Sequence, residues 1–446
     1  MTEHGASGTP SQRFGLGAGA VSIALLIGSV IPVSIAAAVD GPAVQDQAPA
    51  AAVSAAPDRD RFVVKFRDTA RLDFRERGTA YHQADRPPGV SVTEVRSTAT
   101  GARVIETGRG LDDGEAAELI GSLDARPDVE YVGPDTLLRP ALVPNDTHFA
   151  RQWSLSGGQA GLHAPDAWDT STGRGAVVAV VDTGITTHSD LAANVLPGYD
   201  MVSVPDMARD GNGRDGNPRD QGDGCGGAES SWHGTHVAGI IAAAGDNGKG
   251  ITGVAYGARI LPVRAVGACG GYLSDVADAV VWAAGGPVPD APANPTPAKV
   301  INVSLSADGE CLPPLQAAID AARSRGAAVV VAAGNGSKQA SESSPANCRN
   351  VITVAAATRG GGLAPYSNYG PAVDVTAPGG DLSGGAEGGI LSTSNRGTAA
   401  PAAGAYAYMA GTSMAAPQVA GLAALLFAAE PALTPAAAEA RIRATA

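Results

Sequence analysis

Aromatic residues make up only 4% of the 446-residue chain. So few rings exclude an aromatic-packed core, and the 59 glycines point instead to tight turns and small-residue packing. Basic charge is also scarce: 31 Lys and Arg against 44 Asp and Glu leave a net charge of −13. No long basic run occurs, so no nucleic-acid partner is expected. Cysteine is limited to Cys225, Cys269, Cys311 and Cys348, with none in the N-terminal part of the chain. What is plentiful is apolar material, 44% of the residues, in a chain long enough for a large domain and a smaller one.

Arg13 is followed by an apolar stretch, Phe14 to Ala38, that contains Ile23-Ala24-Leu25-Leu26-Ile27 and ends in Ala36-Ala37-Ala38. A basic flank, a short apolar segment and an A-x-A end predict a secretory signal peptide over residues 1–38. The alternative is an uncleaved membrane anchor, which Pro32 and several Gly and Ser residues disfavour. Residues 39–57 are rich in Ala and Pro and read as a flexible linker. Residues 58–140 read as a small α+β domain. Phe62 to Phe66 is a strand candidate, Ala116, Leu119, Ile120 and Leu123 recur at helical spacing within Asp113–Ala125, and Val129 to Val132 is a second strand ending at Gly133-Pro134. No nucleophile–base pairing and no metal spacing is visible there.

From Ala141 the composition shifts toward Gly, Ala and Val. Strand-like runs Val177–Val181, Ile260–Arg264, Val300–Ser304, Ala328–Ala332 and Val351–Val354 alternate with helical stretches. Continuous β-branched runs predict an α/β domain, a parallel sheet covered by helices on both faces. Ligands on such sheets bind beyond the carboxyl ends of the strands, so the residues that follow these runs carry the information.

Val177–Val181 leads into Asp182-Thr183-Gly184; an acid there could merely cap a turn. Trp232-His233-Gly234-Thr235-His236-Val237-Ala238-Gly239 opens a small-residue helix. Its HxxH spacing could suggest zinc, but no acid lies between the histidines as a metalloprotease helix needs. Ala332-Ala333-Gly334-Asn335-Gly336 closes a strand with a side-chain amide. Gly411-Thr412-Ser413-Met414-Ala415-Ala416-Pro417 precedes a helix-like run, Val419–Ala429. Pro417 suits a first helical turn, which would put the Ser413 hydroxyl at a helix N-terminus that favours developing negative charge. A serine nucleophile also needs a base and an orienting acid. Asp, then His, then Ser, with an Asn between the last two, is the subtilisin-type order.

These four motifs resemble, almost letter for letter, those of the subtilase family of secreted serine endopeptidases, and the resemblance runs from Ala141 to the end. It implies that Asp182, His233 and Ser413 form a catalytic triad and that Asn335 and the Ser413 backbone N–H bind the oxyanion. It also implies that an extended protein or peptide substrate lies between Gly270-Gly271-Tyr272 and Ser304-Leu305-Ser306, with Gly334 beside it. Residues 58–140 resemble the family's inhibitory propeptide. The implied protein is a secreted endopeptidase made as an inhibited precursor, monomeric, without a catalytic cofactor and without stable membrane association. A membrane-tethered processing protease of narrow specificity is the alternative. A binding protein on a dead fold would need a damaged triad, and no catalytic position is substituted.

The acidic loop and the cysteines resemble a bacterial, disulfide-containing branch of the family. Four cysteines in an exported chain allow three pairings; Cys225–Cys269 with Cys311–Cys348 is favoured, because each pair joins loops after successive elements on the site-bearing edge. Asp206, Asp210, Asp215, Asp220, Asp223 and Glu229 lie on one loop with Asn212, Asn217 and many glycines interleaved. Oxygen ligands on a bending loop suit a structural calcium ion at Asp210, Asp215, Asp220 and Asp223. Arg209, Arg214 and Arg219 lower the loop's charge, and a solvated acidic loop is the other reading. Pro-rich Gly285–Pro297 and Gly384–Ala407 read as surface insertions. Family members usually continue with a closing segment past the short helix expected from Pro435, so the resemblance leaves open a truncated end or a missing C-terminal domain.

Overall fold

A computed structural model describes residues 60–136 and 143–445, apart from 69, 71 and 85–87. The expected signal peptide, the linker and the junction near Arg139 lie outside the described residues. The described chain falls into two compact units, one on each side of the junction, and each is considered by itself.

In the N-terminal unit, β1 (Arg61–Phe66), α1 (Phe74–Gln83), β2 (Val92–Ser97), β3 (Arg103–Thr107), α2 (Asp113–Asp124) and β4 (Val129–Pro134) follow in order. The strands form an antiparallel sheet in the order β2-β3-β1-β4. Alternation along β1 sends Phe62, Val64 and Phe66 into a core shared with Leu119 and Leu123 of α2. A capping box fixes the start of α2: Glu115 N donates to Asp112 Oδ1 at 2.8 Å, and Asp112 N donates to Glu115 Oε2 at 3.1 Å. Helix α1 has no apolar stripe to announce it. Its inward face carries Arg77, whose Nε lies 2.9 Å from the buried Glu94 carboxylate, and Tyr81, whose hydroxyl reaches the same carboxylate at 3.2 Å.

The C-terminal unit opens with short helices α3 (Trp153–Ser156) and α4 (Ala164–Trp168), followed by β5 (Val177–Asp182), β6 (Tyr199–Asp200) and α5 (Pro205–Ala208). Then come α6 (His233–Ala242), β7 (Arg259–Arg264), α7 (Leu273–Ala283), β8 (Val300–Val303), β9 (Ala307–Asp308) and α8 (Pro313–Ser324). The chain continues through β10 (Ala328–Ala332), β11 (Ser343–Ser344), β12 (Ile352–Ala357) and β13 (Val375–Pro378). It ends with the hairpin β14 (Ile390–Asn395) and β15 (Gly404–Met409), then α9 (Thr412–Ala429) and α10 (Pro435–Thr445).

Seven strands form one parallel sheet in the order β13-β12-β10-β8-β5-β7-β6. All five runs singled out in the sequence are strands of it. Val178 and Val180 of β5, with Val330 of β10, pack on the face covered by α6 and α9. Ala179, Val181, Val329 and Val331 pack on the other face, under α7 and α8. Both faces are dry, which is why the runs are continuous rather than alternating. Helix α9 is long and apolar enough to cross a membrane, yet 72% of it is buried in this core.

Gly384–Ala407 is a surface insertion only in part: residues 384–385 and 398–400 are exposed, but β14 between them belongs to the core. Every residue of β14 is buried. After Ile390 and Leu391 its buried residues are polar, which reads as loop; two of them bond to helix carbonyls, Ser392 Oγ to His236 O and Thr393 Oγ1 to Thr235 O, each at 2.7 Å.

Candidate functional site

Asp182 is the last residue of β5, Ser304 follows β8, and Asn335 lies just past β10. These three strands are neighbours and parallel, so their carboxyl ends share one edge of the sheet. Asp182 is fully buried, and its Oδ1 accepts from Thr183 N at 2.7 Å. His233 is the first residue of α6, and its Nδ1 lies 2.8 and 2.9 Å from the two Asp182 oxygens. Gly234 permits this approach, since a Cβ there would strike the Gly184 carbonyl. Burial alone would lower the His233 pKa, but the Asp182 carboxylate, aided by Asp223 and Asp220, overrides it and holds the imidazole above its usual value. An imidazole whose Nδ1–H is held by a carboxylate presents Nε2 as the proton acceptor.

Ser413 is the second residue of α9. Pro417 is therefore the sixth residue of the helix rather than part of its first turn. A proline there cannot donate to the carbonyl four residues back, which is that of Ser413. Ser304 takes up the freed acceptor: its Oγ donates to Ser413 O at 2.9 Å, and Ser413 Oγ donates in return to Ser304 O at 3.0 Å. In this state the Ser413 hydroxyl is parked on Ser304 rather than on His233. Asn302 Nδ2 steadies the Ser304 hydroxyl at 2.8 Å.

Asn335 Oδ1 accepts from both Thr412 N and Thr412 Oγ1 at 2.9 Å. That fixes the amide with its Nδ2 pointing away from Thr412. A Cβ built on Gly411 would lie 3.6 Å from both Asn335 Nδ2 and Ser413 N, so the two donors flank one point. The Thr412 hydroxyl also accepts from Gly334 N at 3.1 Å, tying the end of β10 to the Ser413 turn. Sequence reasoning gave Thr412 no role; its position directly before Ser413 was the available signal.

Among the expected substrate-edge residues, Gly334 and Gly270 have φ of 101° and 122°, and a Cβ on Gly334 would strike the Asn368 amide. A Cβ on Gly271 would strike the Ala265 carbonyl. Tyr272 is exposed, Ser304 and Leu305 are buried, and Ser306 is half-buried. Beyond Ser306, β9 pairs antiparallel with β11. The bridges Cys225–Cys269 and Cys311–Cys348 are both formed, the pairing favoured above. The first ties the acidic loop to the residue preceding Gly270.

The four expected calcium ligands do not come together. Asp220 Oδ2 accepts from Thr183 Oγ1 at 2.7 Å, and that hydroxyl accepts from Gly234 N at 3.0 Å. Asp223 takes the Ser231 N–H and hydroxyl, each at 2.6 Å, and Ser231 Oγ accepts from His233 N at 3.2 Å. Both acids thus spend their oxygens behind the His233–Asp182 pair, and burial with the nearby Asp223 charge pushes Asp220 up to about 7. Asp210 and Asp215 instead meet Asp200 of β6, with one oxygen of each carboxylate within 4.8 Å of the others. Arg264 Nη1 lies 2.6 Å from Asp200 Oδ2 and 3.5 Å from Asp210 Oδ2. Spacing along the loop could not reveal Asp200, because it comes from a different element.

The fold and this cluster define a class: the chain belongs to the subtilase family, whose model matches residues 173–446. It is 50% identical over 367 residues to an extracellular protease of Xanthomonas campestris pv. campestris, covering 80% of this chain and 62% of that protein. It is 43% identical over 387 residues to an extracellular basic protease of Dichelobacter nodosus, covering 83% of this chain and 63% of that one. The chain therefore spans somewhat less than two thirds of the length of these relatives. A solved structure of a protease from Pseudoalteromonas arctica superposes with a TM-score of 0.67 at 50% identity, covering 68% of this chain and 92% of that chain.

Proposed function

We propose that the chain is a secreted serine endopeptidase that cleaves peptide bonds in proteins and is made as an inhibited precursor. What carries this reading is His233 held on the Asp182 carboxylate, with Thr412 and Ser413 tied to Asn335 and Ser304 beyond the neighbouring strand ends. Rotation of the Ser413 side chain off Ser304 brings Oγ toward His233 Nε2, which takes its proton as Oγ attacks the substrate carbonyl. Asp182 stabilises the resulting imidazolium and holds its tautomer. Asn335 Nδ2 and Ser413 N donate to the oxyanion as charge develops. His233 then protonates the leaving amine, and water hydrolyses the acyl-enzyme by the same steps in reverse. Two relatives are named extracellular, which supports export together with the N-terminal sequence. The test is cleavage of a denatured protein by the purified chain, blocked by a serine-directed fluorophosphonate; an active preparation indifferent to the reagent would reject the mechanism.

A structural calcium ion fits Asp200, Asp210 and Asp215 better than the loop acids alone. These are hard oxygen donors within mutual reach, and one Arg264 guanidinium leaves the three carboxylates with net negative charge. EDTA is expected to lower the melting temperature, by about 2–4 °C for each kcal/mol of lost binding energy. Asp210→Ala combined with Asp215→Ala should show a smaller EDTA-induced drop than the wild type. An equal drop in both would return these acids to the solvated-loop reading.

The unit at residues 60–136 has its own core and capped helices but no reactive constellation among its described residues, so its role is assigned to contacts. Isolated Asp60–Arg139, added in trans at micromolar concentration, is expected to inhibit the mature enzyme competitively. It should also raise the refolding yield of the C-terminal unit, whose parallel sheet forms from non-local pairings. Titration of activity and a refolding assay check both; neither effect would reject the propeptide assignment.

A further inference from the structure

We propose that Trp232 is a positioning residue for His233, coupling the imidazole to the hairpin that leads into Ser413. The inference rests on the protease reading above and adds a residue to it. Trp232 directly precedes His233 and is only 3% exposed. Its backbone sits at φ 54° and ψ 32°, in the left-handed region. A bulky aromatic residue avoids that region unless its surroundings over-determine it. The restraint is visible: Trp232 Nε1 donates to Gly397 O at 2.7 Å, at the tip of the β14–β15 hairpin. Two residues earlier, Ser230 N donates to Thr398 O at 2.7 Å and Ser230 Oγ donates to Ala399 O at 3.1 Å.

The same hairpin holds α6 further along. Thr393 Oγ1 and Ser392 Oγ donate to Thr235 O and His236 O, and the His236 ring meets Ala407 O at 3.0 Å. The hairpin's second strand then runs through Met409 into Gly411-Thr412-Ser413. One bonded frame therefore carries the base at one place and the nucleophile at another. On the N-terminal side of His233, Trp232 and Ser230 are the anchors to the hairpin, while Ser231 is held separately by Asp223. Removing the indole bond frees the left-handed residue to relax, which swings the first residue of α6 relative to Asp182 and Ser413.

A Trp that only fills the core would affect stability and leave the chemistry alone, and kinetics separate the two roles. Trp232→Phe keeps a ring but deletes the N–H donor. Hydrolysis of a chromogenic peptide anilide is expected to lose about tenfold in kcat with KM within about twofold, because misplacement of the base acts on the reacting geometry. The acid limb of the kcat/KM profile should move to lower pH, as a looser contact with Asp182 raises the His233 pKa less. If Trp232→Phe does not fold by circular dichroism, Ser230→Ala removes the neighbouring Ala399 anchor and should show the same kcat-over-KM split at about threefold. A wild-type chain that neither cleaves the anilide nor reacts with fluorophosphonate would overturn the protease reading and this inference with it. An active wild type whose folded variants keep kcat and the acid limb while losing melting temperature would overturn this inference alone.

Discussion

Ser413→Ala is expected to abolish peptide-bond hydrolysis and leave the fold in place. The substitution removes one hydroxyl, and with it the bond to Ser304 O. The reciprocal bond from Ser304 Oγ to Ser413 O remains, so the helix start keeps its partner for the carbonyl that Pro417 leaves free. The stability cost should be near the ~1 kcal/mol of one hydrogen bond. The kinetic cost is of another order. In a subtilisin, loss of the triad serine costs about 10⁶ in kcat. The precursor should accumulate with its N-terminal unit attached, because no nucleophile is present to process it. Circular dichroism, an anilide assay and intact mass together check this; a purified variant with wild-type turnover would remove Ser413 from the mechanism.

The second large effect is expected at Asn335. Asn335→Ala should lower kcat by about 10²–10³ with little change in KM, again the scale found in a subtilisin. The geometry explains the split. Asn335 Oδ1 is already occupied by two bonds from Thr412, so the amide cannot swing away and Nδ2 remains the donor left for a ligand. A donor fixed in advance contributes most when the oxygen carries full negative charge, and less to the neutral carbonyl of bound substrate. Steady-state kinetics on one anilide separate the cases. A raised KM at constant kcat would make Asn335 a ground-state binding residue instead.

Much of this was legible in the chain because buried parallel strands are written as unbroken apolar runs. Val177–Val181 and Ala328–Ala332 could hardly be anything else, and the residues that end such strands must lie on one edge. The same edge favoured, without fixing, the cysteine pairing that is formed. What the sequence hid were contacts between distant segments. Asp200 joins Asp210 and Asp215 from another strand, while Asp220 and Asp223 turn inward to Thr183 and Ser231; loop spacing carries neither fact. β14 was hidden because four of its six buried residues are polar, with Ser392 and Thr393 satisfied by helix carbonyls, a pattern that composition reads as loop. Helix α1 was hidden by an inward arginine whose partner, Glu94, lies on a different element. Pro417 was misplaced by one turn because the carbonyl it frees finds its donor in Ser304, far along the chain.

The central claim is that Ser413 is a nucleophile activated by His233 and Asp182. Fluorophosphonate labelling of the active chain, followed by proteolytic digestion and peptide mass mapping, tests it most directly. The account predicts a single adduct on the peptide carrying Ser413, lost in Ser413→Ala and strongly slowed in His233→Ala. An adduct on any other residue, or an active chain that takes no label at all, would contradict it.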